Sequence, residues 1–431
     1  MKLTKPERDI LAGAHGSALQ KALASVVRFG DVFGADRLVP ITGAPHFITS
    51  FGAGMIAPYF SMVQSLIDEG LRTHRPFTVD PRPADFDAVR SSLPERIVAS
   101  LIYKKQAPYE RQLAALGLKD AHAFTCACYL PEVGNRPKRG DVLAWSESSA
   151  VAFANSVLGA RTNRNSAGID VLCNIVGKAP RFDLLTDAGR TAAWRIDVTT
   201  KRLPNAQLLG SAIGRAVMDA VPYITGLREH LGTKLTDPVM DYLKDMGAAS
   251  ASNGAVGLYH VDGLTPEARE RGRSLLAKGH RTYVVDDAEL ARVFASYPNI
   301  WKKPNTRPAQ CFIGCPHLSL GQLHLWTDRI TAALARAGRP ALAVETVLCA
   351  PPDVHAAFQH DTRAARRLAG TGAKITSLCP LMYLTNPLMK GKAVVTDSNK
   401  LRTYTSARFF LEDDLLDIIT AGALPSGETR T

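Results

Sequence analysis

At 431 residues, with 46% hydrophobic and 21% charged content, the chain is too long for one ordinary core and predicts a globular protein of two or three domains. Its charged start (Lys2, Lys5, Glu7, Arg8, Asp9) is followed by no apolar segment of signal-peptide length. Nowhere do about 18 apolar residues run together, so a cytoplasmic protein with no membrane role is expected. The 52 basic and 40 acidic residues leave a formal charge of +12. Because the basic residues fall as isolated pairs (Lys104-Lys105, Lys302-Lys303, Arg366-Arg367) without aromatic interleaving or a nucleic-acid-binding motif, no nucleic-acid partner is expected. Such a surface suits anionic metabolites or an acidic partner subunit.

Along the chain, residues 5–28 have helical periodicity, 35–41 read as a short buried strand, and 55–71 and 94–116 as further helices. Residues 76–83 read as a loop, and 121–125 and 194–200 as strands. The small residues of GAASASNG, 247–254, suggest a hinge. Beyond them strands at 255–261, 282–285, 310–313, 342–348 and 374–378 alternate with helices from Pro266, from Ala288, at 319–337 and at 352–368. That alternation predicts right-handed crossovers and a parallel sheet, in which ligands gather at the carboxyl ends of the strands.

Three of the seven cysteines stand at such ends: Cys315 in FIGCPH, Cys349 in TVLCAPP and Cys379 in ITSLCP. A Pro beside Cys315 and Cys379 takes the backbone out of the strand and frees the thiol to face a cleft. Cys128 follows the apolar run of AFTCAC. Thiolates converging from separate loops suit an iron–sulfur cluster with one open iron; the alternative is that free cysteines pack as small hydrophobes. The pair Cys126-Ala-Cys128 is too tight for the usual cluster or zinc spacing. His317, in CPH, is either a group polarising a substrate oxygen or a structural hydrogen-bonder. The stretch Trp145–Asn165 sets Glu147, Ser148, Ser149, Asn155, Arg161, Thr162 and Asn163 beside an apolar stripe, which reads as a cavity wall facing a small polar ligand. Arg161 could grip a carboxylate or phosphate, or sit in a surface ion pair. No GxSxG elbow surrounds Ser148 and Ser149, and GxGxxG and GKT/S phosphate loops are absent.

With these residues collected, the chain resembles the large subunit of aconitase X, a branch of the aconitase superfamily. The resemblance is carried by ADRLVPI at 35–41, YLPEVGNRPKRGDVLAWSESSAVAFANSVLGARTNR at 129–164, GLYHVDGLTPEAR at 257–269, IGCPHLSL at 313–320 and the region from Cys379 to Lys400. It departs in reading TDSNK where TNS-K is more typical, and CPLMYL where a Val-rich continuation is expected. The resemblance implies an α/β, aconitase-like multi-domain architecture, with parallel or mixed sheets flanked by helices and an active site at the domain interface, divided here into 1–250 and 251–431. It implies a hydro-lyase binding an iron–sulfur cluster, or iron, and acting on a small-molecule hydroxy acid, cis-3-hydroxy-L-proline, which yields Δ1-pyrroline-2-carboxylate. The alternatives are mevalonate 5-phosphate, or a metal-free relative that binds a small acid or serves as a scaffold. Cys128, Cys315 and Cys379 are the implied ligands, with Cys126 the reserve for the first; Cys173 and Cys349 are left as structural. Glu147, Asn155, Arg161, Thr162, Asn163, His317 and Ser398 would bind substrate, and Ser148, Ser149 and Lys400 would act on it, the Lys offsetting carbanion charge. A small swivelling domain supplies a catalytic serine in the superfamily; the stretch after Asp397 is too short for it, so a separate small subunit is implied.

Overall fold

The computed structural model describes residues 1–53, 56–301, 306–389 and 391–425, and in it helices surround two separate parallel sheets. Lys302-Lys303, and Met55 at the start of an expected helix, lie outside the described residues. The expected helix at 5–28 is two, Lys5–Leu11 and Ser17–Val32, parted where Gly13 and Gly16 adopt φ of 90° and 94°. The second packs Leu23 and Val26 into an N-terminal core with Phe47, Phe60, Phe77 and Tyr109. The 94–116 stretch likewise forms two helices, Leu93–Ile102 and Gln106–Leu116. Residues 121–125 form no strand, only a bridge from Phe124 to Val79.

One sheet orders His260–Val261, Pro222–Thr225, Ala192–Val198 and Leu276–Val285, all parallel. Its strands come from both sides of residue 250, so a division of the chain there passes through this sheet. The other orders Lys374–Thr376, Glu345–Cys349, Gln310–Ile313, Val394–Thr396 and Arg408–Phe409, also all parallel. Its central strand, Gln310–Ile313, is buried throughout, as a strand covered on both faces should be.

The expected hinge at 247–254 is instead the end of a helix, Asp237–Asn253, pressed against the helix Ala206–Val217. A Cβ at Gly210 would stand 2.2 Å from the Met246 carbonyl oxygen, and one at Gly214 2.5 Å from that of Ser250. Small residues here let two backbones touch, giving close packing rather than flexibility. No helix among the described residues is long and apolar enough to cross a membrane.

Candidate active site

A cavity of about 260 Å³ opens where the carboxyl ends of the five-stranded sheet meet the N-terminal region. From the sheet side come Gly314, Cys315 and His317 after Gln310–Ile313, Cys379 after Lys374–Thr376, and Lys400 after Val394–Thr396. Gly314 has a φ of 99°, and a Cβ there would lie 2.4 Å from the Cys349 carbonyl oxygen, so the turn that delivers Cys315 requires glycine. From the N-terminal side come Ser50 and Phe51 after His46–Phe47, Asp80 after Thr78–Val79, then Cys126, Glu147 and Ser148.

His317 ties the three cysteine segments together. Its Nδ1 lies 3.1 Å from Thr125 Oγ1, beside Cys126, and its Nε2 lies 3.1 Å from the Leu378 carbonyl, beside Cys379. A carbonyl only accepts, so Nε2 carries the proton and Nδ1 accepts from Thr125. The His317 amide donates to Cys126 Sγ at 3.4 Å, and the ring sits two residues beyond Cys315. Burial drops its pKa to about 4, leaving a neutral ring with both nitrogens engaged. Replacing His317 with Ala leaves the Leu378 carbonyl without this donor and the Thr125 hydroxyl proton without this acceptor, around a void. Stability should fall by about 3 kcal/mol or more, read as a lower denaturant midpoint; an unchanged midpoint would refute the clamp.

Lys400 Nζ donates to Glu147 Oε1, which also accepts from the Ser149 amide at 3.0 Å and hydroxyl at 2.8 Å. Burial alone would raise the Glu147 pKa, but the Lys400 ammonium and the Ser149 bonds outweigh it and hold the carboxyl at about 2. Burial, together with the Glu147 charge, pushes Asp80 well above the ordinary carboxylate range. Burial also raises the thiols, Cys315 to about 11, Cys379 to about 12 and Cys126 well above its usual value.

Models of the aconitase X first and second domains match residues 1–188 and 177–295. The chain belongs to the aconitase X family. It is 34% identical over 342 residues to a phosphomevalonate dehydratase large subunit of Thermococcus kodakarensis, covering 79% of each chain. To a cis-3-hydroxy-L-proline dehydratase of Pseudomonas aeruginosa it is 29% identical over 403 residues, 92% of this chain and 65% of the other. The crystal structure of Thermococcus kodakaraensis aconitase X in its holo-form superposes with a TM-score of 0.79 at 30% identity, covering 98% of this chain and all of that one. The α/β aconitase X architecture expected from the sequence is therefore the one adopted.

Within this aconitase X chain, the expected site residues separate into two groups. Glu147, Ser148, Cys315, His317, Cys379 and Lys400 line the cavity, with Ser149 just behind. Cys128, expected as the first ligand, does not: it is turned into the core beside Tyr129 and Phe153, and Cys126 faces the cavity in its place. Thr125 Oγ1 accepts from the Ala127 amide at 3.0 Å and redirects the chain between the two cysteines. Ser398 is also outside the lining. Its hydroxyl donates to the Cys315 carbonyl at 2.5 Å and accepts from the Leu401 amide at 3.1 Å, so it pins the Cys315 loop and caps a helix.

Asn155, Arg161, Thr162 and Asn163 lie away from the cavity and bond to the protein itself, although the buried Oδ1 of Asn163 has no partner. Asn155 donates to the Thr162 and Gly257 carbonyls and accepts from the Thr162 amide and from Arg190. Thr162 Oγ1 accepts from the Trp145 amide and donates to the Asn163 carbonyl, and Asn163 donates to the Phe182 carbonyl. Arg161 pairs with Asp187 at 2.5 Å and approaches Glu267 at 3.8 Å. Asp80, passed over as part of a loop, shares with Cys315 and Cys379 a sequence signal: a polar residue after a short strand and before Pro.

Proposed function

We propose that this hydro-lyase large subunit removes water from a small hydroxy acid of the proline type, cis-3-hydroxy-L-proline, giving Δ1-pyrroline-2-carboxylate. It would do so with an iron–sulfur cluster held by Cys126, Cys315 and Cys379 and in company with a small subunit. Three thiols lining one cavity are the donor chemistry such a cluster takes. Among the described residues no three His, Cys, Asp or Glu side chains come close enough to share one ion. A multi-iron cluster spreads its thiolates over different irons and so does not require such a close trio. When bound, the cluster would supply a Lewis-acidic iron for the leaving hydroxyl. The chain's own groups do the rest: Lys400 faces the substrate carboxylate and the charge that develops beside it, and His317 holds the thiol-bearing loops in register.

The substrate reading is carried by the charges in the cavity wall. Lys400 is the one Lys or Arg in the described lining and is already balanced by Glu147, and the Asp80 carboxyl in the same space, its pKa raised by burial, adds no second cation. One carboxylate and one ammonium on a small ring match that balance. A phosphorylated acid carries more negative charge than a single, already paired cation can neutralise. The second reading, a phosphomevalonate dehydratase, is favoured by the 34% identity and by the relatives named as large subunits, a name that also supports a separate small subunit. The hydroxyproline dehydratase of Pseudomonas aeruginosa is longer by residues that have no counterpart in the matched region. Assay of the reconstituted enzyme with a small subunit against both substrates decides between them: turnover of cis-3-hydroxy-L-proline alone is expected, and turnover of mevalonate 5-phosphate alone would overturn the reading.

A further inference from the structure

Beside the cysteines, four groups outside the implied ligand set converge: His46, Asp80, Glu147 and Lys400. His46 is fully buried, and its Nδ1 lies 2.9 Å from Thr78 Oγ1. That hydroxyl already accepts from Asn135 Nδ2 at 2.7 Å. An amide nitrogen cannot accept, and His46 Nδ1 is the acceptor beside the Thr78 hydroxyl; the tautomer that uses that proton has Thr78 donating to Nδ1 and the ring's own proton on Nε2. Nε2 faces Asp80 Oδ1 at 3.3 Å. The approach is not aligned as a full hydrogen bond, and neither atom has another hydrogen-bond partner. Oδ1 is sealed from solvent, whereas the Asp80 side chain as a whole keeps 13% exposure and lines the cavity. The inner oxygen is therefore held from behind and the carboxyl is presented to the cavity. The Asp80 amide donates to the Phe47 carbonyl at 2.9 Å, fixing the backbone beneath it.

Beside Asp80, Glu147 carries the negative charge of a tight pair with Lys400. Two carboxyl groups so near one another, with one ionised and held by an ammonium, favour keeping the second as the acid. Glu147 has its oxygen occupied by Lys400 and Ser149, and His317 has both ring nitrogens occupied by Thr125 and Leu378. Asp80 shares a side-chain hydrogen bond with Glu147 and lines the cavity, so it is the carboxyl placed to pass a proton on to substrate.

We propose that Asp80 is a catalytic residue, the group that gives its proton to the departing hydroxyl, and that His46 is the positioning residue that holds it. The proposal rests on the dehydratase reading above. In the step, the C–O bond breaks with its electron pair on oxygen, which takes the Asp80 proton and leaves as water. The α C–H electron pair becomes the new double bond, and the α proton passes to an oxyanion base on the partner subunit. After product release Asp80 takes a proton from solvent and the base returns one, so the net change is hydroxy acid to unsaturated acid plus water.

The test uses the holoenzyme with its partner subunit. Asp80→Asn keeps an acceptor for His46 and a donor toward the cavity but has no proton to give. It should lower kcat by about 10²–10⁴-fold while KM and iron content stay within about threefold of wild type. Asp80→Glu, which restores an ionisable carboxyl, should recover at least about tenfold of that loss, consistent with acid–base work rather than packing. An Asp80→Asn enzyme within about tenfold of wild-type kcat, or an Asp80→Glu enzyme no better than the Asn variant, overturns the assignment. Failure of the wild-type holoenzyme to dehydrate any hydroxy acid would instead sink the dehydratase reading. The carboxylic-acid infrared band of wild type, lost in Asp80→Asn, would still report that Asp80 carries a proton, and a band unchanged between the two would overturn that as well.

Discussion

Substituting serine for Cys126 should abolish dehydration in the reconstituted enzyme, whereas the same change at Cys128, two residues on, should leave turnover within a fewfold of wild type. Cys126 faces the cavity with Cys315 and Cys379, while Cys128 packs against Tyr129 and Phe153 in the core. A serine hydroxyl is a far poorer ligand than a thiolate for iron in a sulfur-rich site, so one lost thiol removes the metal and the activity together. At Cys128 the change removes one small buried hydrophobe and leaves a hydroxyl in an apolar setting, a stability cost of about 1–3 kcal/mol. Steady-state kinetics on the two variants, each checked for folding by circular dichroism, measures the contrast. Equal losses would mean that the cavity does not single out Cys126.

Lys400→Met should have the largest effect on stability. The ammonium that compensates the buried Glu147 carboxylate is lost, and breaking a buried pair from one side typically costs about 3–5 kcal/mol. The sign of the pH dependence follows from the depressed Glu147 pKa. Its native carboxyl titrates at about 2 against an ordinary value of 4.5, so the pair's stabilisation is full above pH 4.5 and is lost as pH falls from there toward about 2. Without Lys400, burial is unopposed and the carboxyl takes up a proton more readily. Thermal melts of wild type and variant should therefore lie furthest apart near neutral pH and draw together below about pH 4; a gap that is absent at neutral pH, or constant with pH, would contradict the pairing. Activity should fall as well if, as proposed, Lys400 faces the substrate carboxylate.

Much of this was legible in the chain. Apolar runs ending in Cys-Pro mark strand ends, and the fold sets Cys315 and Cys379 there, at the same cavity. The polar cluster after Trp145 was recognisable as buried and hydrogen-bonded, but composition cannot tell a substrate's hydrogen bond from the protein's own. Asn155 illustrates this, since its side chain is consumed by Thr162, Gly257 and Arg190. The choice between Cys126 and Cys128 turned on a local turn set by Thr125, which no spacing rule reveals. The small residues at 247–254 were compatible with either a hinge or a close helix contact, and only the partner helix with Gly210 and Gly214 decides between them. Asp80 and His46 lie on two-residue strands too short to leave a periodic pattern.

The central claim is that this cavity is an iron–sulfur site built on Cys126, Cys315 and Cys379. Iron and acid-labile sulfide, measured on anaerobically purified and reconstituted protein with alkylation mapping of all seven cysteines, test it most directly. Both elements should be bound, and reconstitution should shield those three thiols while the Cys126→Ser variant binds neither. Absence of iron and sulfide after reconstitution, or full retention of both by Cys126→Ser, would contradict it.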